Sequence, residues 1–551
     1  MRILVGGIVA AALAGSIAGQ ELGTNVFTSE DELTEALAAG ELALPEYLAL
    51  REMLWLGVDS AASGSLDLVP NAAGFPAVPP GEVATETSAI GPFRLTTALE
   101  EEQRRAFVRS DWEGSLRYRY RTPLRDGGGD YHLNVRTRWR DRWQAAFCLS
   151  RDEPGRERVV ARSVGYRSGR GLVREARLGN YSLRLGLGAV FGYRGKLLES
   201  SQRLDAESLL HPDYGGHNGF YTRLVAGNTD VHLASSHHRD QRHRLDTWAA
   251  MISFRCTRLS PGLILSTTAV RCRGGGAKVV DRKAALHLAG RYEGGRTVAE
   301  AVWQMGKKPG FAALVLEGRH RFRGAELRYA GWRYEHRFLN LSSGSKSADL
   351  RSTVNLSAIG LTFSDRRSGQ SGALIKTIVA PADRWQLICS VLHAGRRDAR
   401  NLDVMPAVVW RLGAVSELRA DYLVRGRRRK ESPNPGFVWT GRTRVEYRRR
   451  LPGTYLRCYV SYESSGADDG RWGLFADVRA AVPGGGEIEL WAHAARLDLH
   501  GPALERAYGF LQLSHPMVDE LRLALKVTLS YSRSATRRHS QSFILVLEAP
   551  L

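Results

Sequence analysis

The chain has 551 residues, a formal net charge of +21 and 43% hydrophobic residues, enough for one large domain and a small one. No internal stretch supplies the ~20 consecutive apolar residues of a membrane-spanning helix. The five cysteines, Cys148, Cys256, Cys272, Cys389 and Cys458, are odd in number and form no C-x-x-C pair, which argues against a zinc or disulfide framework. They are expected as small, half-buried side chains in strands.

In chain order, Arg2 precedes an apolar run from Ile3 to Leu13, followed by Ser16-Ile17-Ala18. A short charged start, an apolar core and a small-residue site describe a secretory signal peptide. The expectation is a signal peptide over residues 1–18, cleaved near Ala18.

Residues 19–108 are expected to form an acidic, helical periplasmic segment and linker. Between Gln20 and Glu100 thirteen acids face only Arg51 and Arg94, so this stretch carries about −11 and the remainder about +32. Ser29-Glu30-Asp31-Glu32 forms a capping box ahead of Leu33, Ala36 and Leu37, with Gly40 as the stop. Pro45 suits the first turn of a second helix through Leu54 and Trp55. Prolines 70, 76, 79, 80 and 92 break the chain after that, and a last short helix is expected over Thr97–Val108.

From Asp111 onward the dominant period is two. Leu116, Tyr118 and Tyr120 alternate with Arg117, Arg119 and Arg121; Leu133, Val135 and Trp139 alternate with Asn134, Arg136, Arg138 and Arg140; Leu523, Leu525, Val527 and Leu529 alternate with Ala524, Lys526 and Thr528. Successive side chains of a strand point to opposite faces, so each run has an apolar and a polar face. Gly127-Gly128-Gly129, Pro154-Gly155, Gly274-Gly275-Gly276, Asp468-Asp469-Gly470 and Gly484-Gly485-Gly486 punctuate the runs as turns. Many runs reach ten residues, longer than the ~5–6 of soluble strands. About 9–11 tilted residues cross a hydrocarbon layer, where only a closed sheet satisfies every backbone group. The sequence therefore predicts a mainly β chain: a large antiparallel transmembrane β-barrel of about 20–26 strands over residues 109–551, preceded by a small N-terminal α-helical segment. Tyr131, Trp139 and Trp143 suit its interfacial girdles.

The passage Leu178-Gly179-Asn180-Tyr181-Ser182-Leu183-Arg184-Leu185-Gly186-Leu187-Gly188 resembles the L-G-D-Y-x-L-x-F-G-Q-G-L stretch of large bacterial outer-membrane proteins with an N-terminal helix-hairpin-helix domain, known from Bacteroidetes-like lineages. Glu41–Leu48 resembles the acidic lead-in of that family, and Val231–Ser236 a strand that follows. The resemblance implies an outer-membrane barrel and, through the hairpin, a DNA-uptake or surface-binding and assembly role. The hairpin is degenerate here: Asn71 stands where glycine is expected, and Phe75-Pro76 and Pro79-Pro80 replace the second helix. No Lys or Arg lies between Arg51 and Arg94. Duplex binding depends on basic side chains neutralising phosphates, so nucleic acid is not expected at this segment.

Enzymatic motifs are lacking: no P-loop, no Rossmann fingerprint, no H-E-x-x-H and no G-x-S-x-G occurs. The glycines of 186–195 read as strand positions where neighbours pack or a strand bends. His211, His217, His232, His237, His238 and His243 hold metal-ligand types, but Arg239, Arg242 and Arg244 among them would repel a cation, and a polar loop after 229–236 is the simpler reading. Ser235, Ser236, His237 and Asp240 supply hydrolase residue types, but adjacent strand residues face opposite ways, so Ser236 and His237 would not pair. No enzyme, cofactor or metal is expected. What remains is the arginine load on the polar face: Arg117, Arg119, Arg121, Arg136, Arg138 and Arg140, then Arg442, Arg444 and Arg448. Facing a lumen, such residues favour an anionic solute. The run Arg425–Lys430 reads as an exposed loop able to touch lipopolysaccharide phosphate. The expected function is a pore or transport channel with an electropositive lumen, in the outer membrane. Its expected partners are outer-membrane lipid, lipopolysaccharide and the barrel-assembly machinery.

Overall fold

A computed structural model describes residues 112–550, apart from 193–216 and shorter stretches between strands. The expected signal peptide and the acidic segment with its helices lie outside the described residues, as does His211.

Twenty-four strands form one antiparallel sheet, beginning with Trp112–Pro123 and ending with His539–Pro550. The shortest is Val173–Tyr181, with 9 residues, and Lys278–Tyr292 has 15. Each pairs with its neighbours along the chain, and the first closes on the last: Ser115 stands opposite Pro550 and Arg121 opposite Ile544. The result is a closed β-barrel without a free edge. At ~4.8 Å between strands and a usual tilt, twenty-four strands enclose a cylinder roughly 45–50 Å across. Side chains alone do not fill that width.

Two kinds of connection mark the two ends. At one end the chain reverses through two-residue turns, in which Gly227, Gly294, Gly324 and Gly453 take φ of +55°, +75°, +73° and +70°; hairpins of this length need the left-handed conformation that glycine allows. Trp112 and Pro550 lie at this end. The opposite end carries the long connections, between Tyr181 and His217 and between Tyr334 and Ser371. Within the second, Ser352–Leu356 and Leu361–Asp365 make a small separate hairpin around a 3-10 turn at Ser357–Ile359. That turn is the one helical element among the described residues.

The period of two is realised as two unlike faces. Val445, Val460, Leu474, Leu490, Leu511 and Leu529 are 43–53% exposed, whereas their alternating neighbours Arg444, Tyr459, Phe475, Trp491, Phe510 and Thr528 are 0–8% exposed. Aliphatic side chains thus line the outside, and charged, aromatic and small residues the inside. Trp139 and Trp143 pair at the short-turn end and Tyr131 at the other, on the outer face. Cys256 departs from the expectation: it is exposed in a turn. All five cysteines are free.

Candidate functional site in the barrel interior

The chain leaving the strand Val173–Tyr181 turns into the barrel. Leu185, Val190 and Phe191 have no exposed surface and Leu183 and Leu187 almost none. They pack with inner-face residues from many strands, among them Ala249, Ile264, Ala285, Val302 and Val315. The glycines here are turn residues, which corrects the strand reading. Gly186 and Gly188 have φ of +57° and +77°, the Leu185 amide donates to the Phe191 carbonyl (3.0 Å), and the Gly188 amide donates to Leu185 (2.9 Å). A Cβ on Gly186 would lie 1.8 Å from Glu300 Oε1.

Glu300, on the strand Gly295–Met305, fastens this passage to the wall. It is completely buried. One carboxylate oxygen accepts the Leu187 amide and the other the Ala189 amide (3.2 Å), while His287 Nδ1 stands 3.2 Å away. A buried carboxylate is costly unless its oxygens are hydrogen-bonded, so wall and passage satisfy one another. Further ties come from Tyr181, whose hydroxyl donates to the Ser235 carbonyl (2.5 Å), and from His217, which donates to Leu183 (3.3 Å) and stacks on Phe191 at 4.2 Å.

The second long connection also folds against the wall. Leu341, Ile359 and Leu361 pack on Leu245 and Val270. The Ile359 carbonyl accepts from His243 Nε2 (2.9 Å) and the Leu339 carbonyl from Lys283 Nζ (2.8 Å), with Lys283 also paired to Asp281 at 2.8 Å. Trp332 donates to Gln370 (2.7 Å).

The candidate arginines fall into two groups. Arg117, Arg119 and Arg121 share the inner face with Arg136 and Arg138, since Ser115 pairs with Arg136 and Glu113 with Arg138. Arg117 bonds Glu548 at 2.7 Å, and Arg119 and Arg121 lie 3.7 and 3.8 Å from Asp130. Arg140 leaves the row: it sits in the turn after Trp139 with φ +50°, its guanidinium 5.0 Å from the Trp139 ring. Arg442, Arg444 and Arg448 share the inner face of Val438–Leu451. Arg444 binds Asp421 at 2.5 Å and lies 3.4 Å from Glu446; Arg448 binds Glu446 and approaches Glu417 (3.6 Å); Arg457 binds Glu446 at 2.9 Å. From Arg444 onward the face is therefore a ladder of alternating sign, whereas Arg442 stands next to Arg444 and opposite Leu423.

Within Arg425–Lys430, the described residues 425–429 are not an exposed loop, and Lys430 lies outside the described residues. The strand Ser416–Arg429 includes residues 425–429, and Arg427 makes a two-pronged bond to Asp403 on the inner face. The histidine-rich stretch is likewise strand rather than loop, since Thr229–Arg239 contains His232, His237 and His238. Ser236 pairs with His238 (3.1 Å) on the inner face and His237 with Asp246 (2.9 Å) on the outer one, so no nucleophile, base and acid line up there. Among the described residues no group of three metal-ligating side chains gathers.

Sequence reasoning missed Glu300, whose role depends on backbone amides 111 and 113 residues away. It also missed an aromatic row across four strands. Tyr459 stacks on Phe475 (4.9 Å), Phe475 meets Trp491 edge-on (5.4 Å), and Trp491 stacks on Phe510 (5.8 Å). Arg457 lies over Phe475 at 5.9 Å and Lys526 over Phe510 at 3.7 Å, cation–π placements that strengthen where water is excluded. The available signal was an aromatic at an inward position in each of four neighbouring runs, Tyr459, Phe475, Trp491 and Phe510.

No protein-family model and no curated protein matches the chain, so the resemblance to helix-hairpin-helix outer-membrane proteins gains no support from them. Solved structures with a similar fold include the translocation pore of the P pilus usher PapC (TM-score 0.40, 11% identity, 80% of this chain and 99% of that one). The FrpB iron transporter of Neisseria meningitidis aligns with TM-score 0.43 and 10% identity over 80% of this chain and 81% of that one. OccK5 of Pseudomonas aeruginosa gives 0.30 and 10% over 59% and 96%. At such scores the barrel rests on its own closed register.

Proposed function

We propose that the chain is an outer-membrane pore or transport channel with an electropositive lumen narrowed by its own inward-folded connections. The observation that carries this reading is a closed twenty-four-stranded cylinder with aliphatic rows outside and charge inside. Within lipid no water satisfies a backbone group, and a closed sheet is one of only two solutions. Outer-membrane barrels have short periplasmic turns and long outer loops, which would put Trp112, and the acidic segment before it, on the periplasmic side. Arginines on an inner wall favour anions. Barrels of about twenty-two strands carry plugs, and a segment at about −11 complements a basic wall. The acidic stretch 20–100 is therefore assigned the part of a plug. Lipid, lipopolysaccharide and the barrel-assembly machinery are the partners this location brings.

The test is recording from planar bilayers under a salt gradient. The reversal potential should have the sign of anion preference, and deleting residues 20–100 should raise the conductance. A cation-selective current would overturn the electropositive lumen; unchanged conductance would remove the plug.

A further inference from the structure

On the outer wall, near the end with the long connections, four adjacent strands place a base at one level. Arg239 stands opposite Arg244, Arg244 opposite Arg271, and Arg271 opposite Lys278. All four are exposed, and the row runs roughly 14 Å around the barrel at ~4.8 Å per strand. Like charges directly opposite one another destabilise a strand pair, so an anion held beside this row would stabilise it.

The levels beneath say which anion. One step down lie His237, Asp246, Ala269 and Val280; the next holds Ser235, Trp248, Thr267 and Arg282; below it come Leu233, Ala250, Leu265 and Ala284. Asp246 is the single acid among these outward positions, and it is engaged by Arg244 and His237, each at 2.9 Å. Trp248 is 52% exposed and Leu265 44%. Bases, then an exposed indole, then aliphatics is the order in which a bilayer presents headgroup, interface and acyl chains.

We propose that Arg239, Arg244, Arg271 and Lys278 form a binding site for the phosphate groups of a phosphorylated glycolipid in the outer leaflet, its acyl chains lying over Trp248 and Leu265. Arginine forks bind phosphate oxygens two at a time, and lysine adds a point charge. This site rests on the membrane reading above and specifies where on the wall the lipid is held.

The test titrates the full chain, purified in zwitterionic detergent, with diphosphoryl lipid A and with its monophosphoryl form, reading bound lipid by native mass spectrometry. A variant with Arg239→Gln, Arg244→Gln, Arg271→Gln and Lys278→Gln, shown to be folded by its unheated gel mobility, should bind the diphosphoryl form roughly a thousandfold more weakly, given about 1 kcal/mol per base. Loss of one phosphate should weaken the natural chain and leave the variant unchanged. If the fourfold variant does not fold, Arg271→Gln with Lys278→Gln should show a smaller loss in the same direction. Equal binding by variant and natural chain overturns the site, and displacement by excess inorganic phosphate overturns its assignment to lipid. A chain that stays monomeric in water without detergent would instead overturn the membrane reading beneath it.

Discussion

Glu300 is a charged side chain with no exposed surface in the wall of a wide cylinder. Its oxygens are satisfied by Leu187, Ala189 and His287, so removing it strands two amides. Glu300→Ala is expected to cost about 3 kcal/mol, the usual penalty for breaking a buried charged network. The loss should appear as faster hydrogen exchange at the Leu187 and Ala189 amides; unchanged exchange would show that packing alone holds the passage. Charge pairing also explains where single residues misled the sequence analysis. Five bases in six residues, Arg425 to Lys430 with one glycine among them, look like a solvated loop until Asp403 is known to face Arg425 across the sheet. Register brings that partner, and composition does not report register.

At the scale of the element, the alternation of Leu523, Leu525, Val527 and Leu529 with Ala524, Lys526 and Thr528 was legible because the two faces of a barrel strand meet unlike surroundings. Strand length was legible for the same reason. The passage after Tyr181 was not. Leu183, Leu185 and Leu187 alternate with Arg184, Gly186 and Gly188 as a strand would, yet two left-handed glycines bend it into a turn. Period alone does not separate a strand from a turn whose leucines all find apolar neighbours. The outer face makes a sharper prediction. Leu286 is 57% exposed in the middle of an aliphatic level with Ile252, Leu263 and Leu314. In a water-soluble sheet Leu286→Arg would be nearly neutral, whereas against lipid it should cost about 2–4 kcal/mol. Urea unfolding from vesicles measures the difference, and a change below about 0.5 kcal/mol would contradict a lipid-facing wall.

For the whole molecule, closure is the property on which the rest depends. Pairing of Trp112–Pro123 with His539–Pro550 removes the last sheet edge, and an unpaired edge would be untenable in lipid. The strand number could be bracketed from turn signals, but the pairing of the first strand with the last, more than 400 residues on, has no local signature. The inward connections follow from the same size argument: a cylinder this wide needs segments, not side chains alone, to occupy its centre. The most direct measurement places nitroxide labels one at a time along the strand Arg522–Ser532 in lipid vesicles and reads their collisions with dissolved oxygen. Labels at 523, 525, 527 and 529 should collide often and those at 524, 526 and 528 rarely, in a strict period of two. A flat profile, or one with the high values at the even positions, would contradict the barrel's orientation toward lipid.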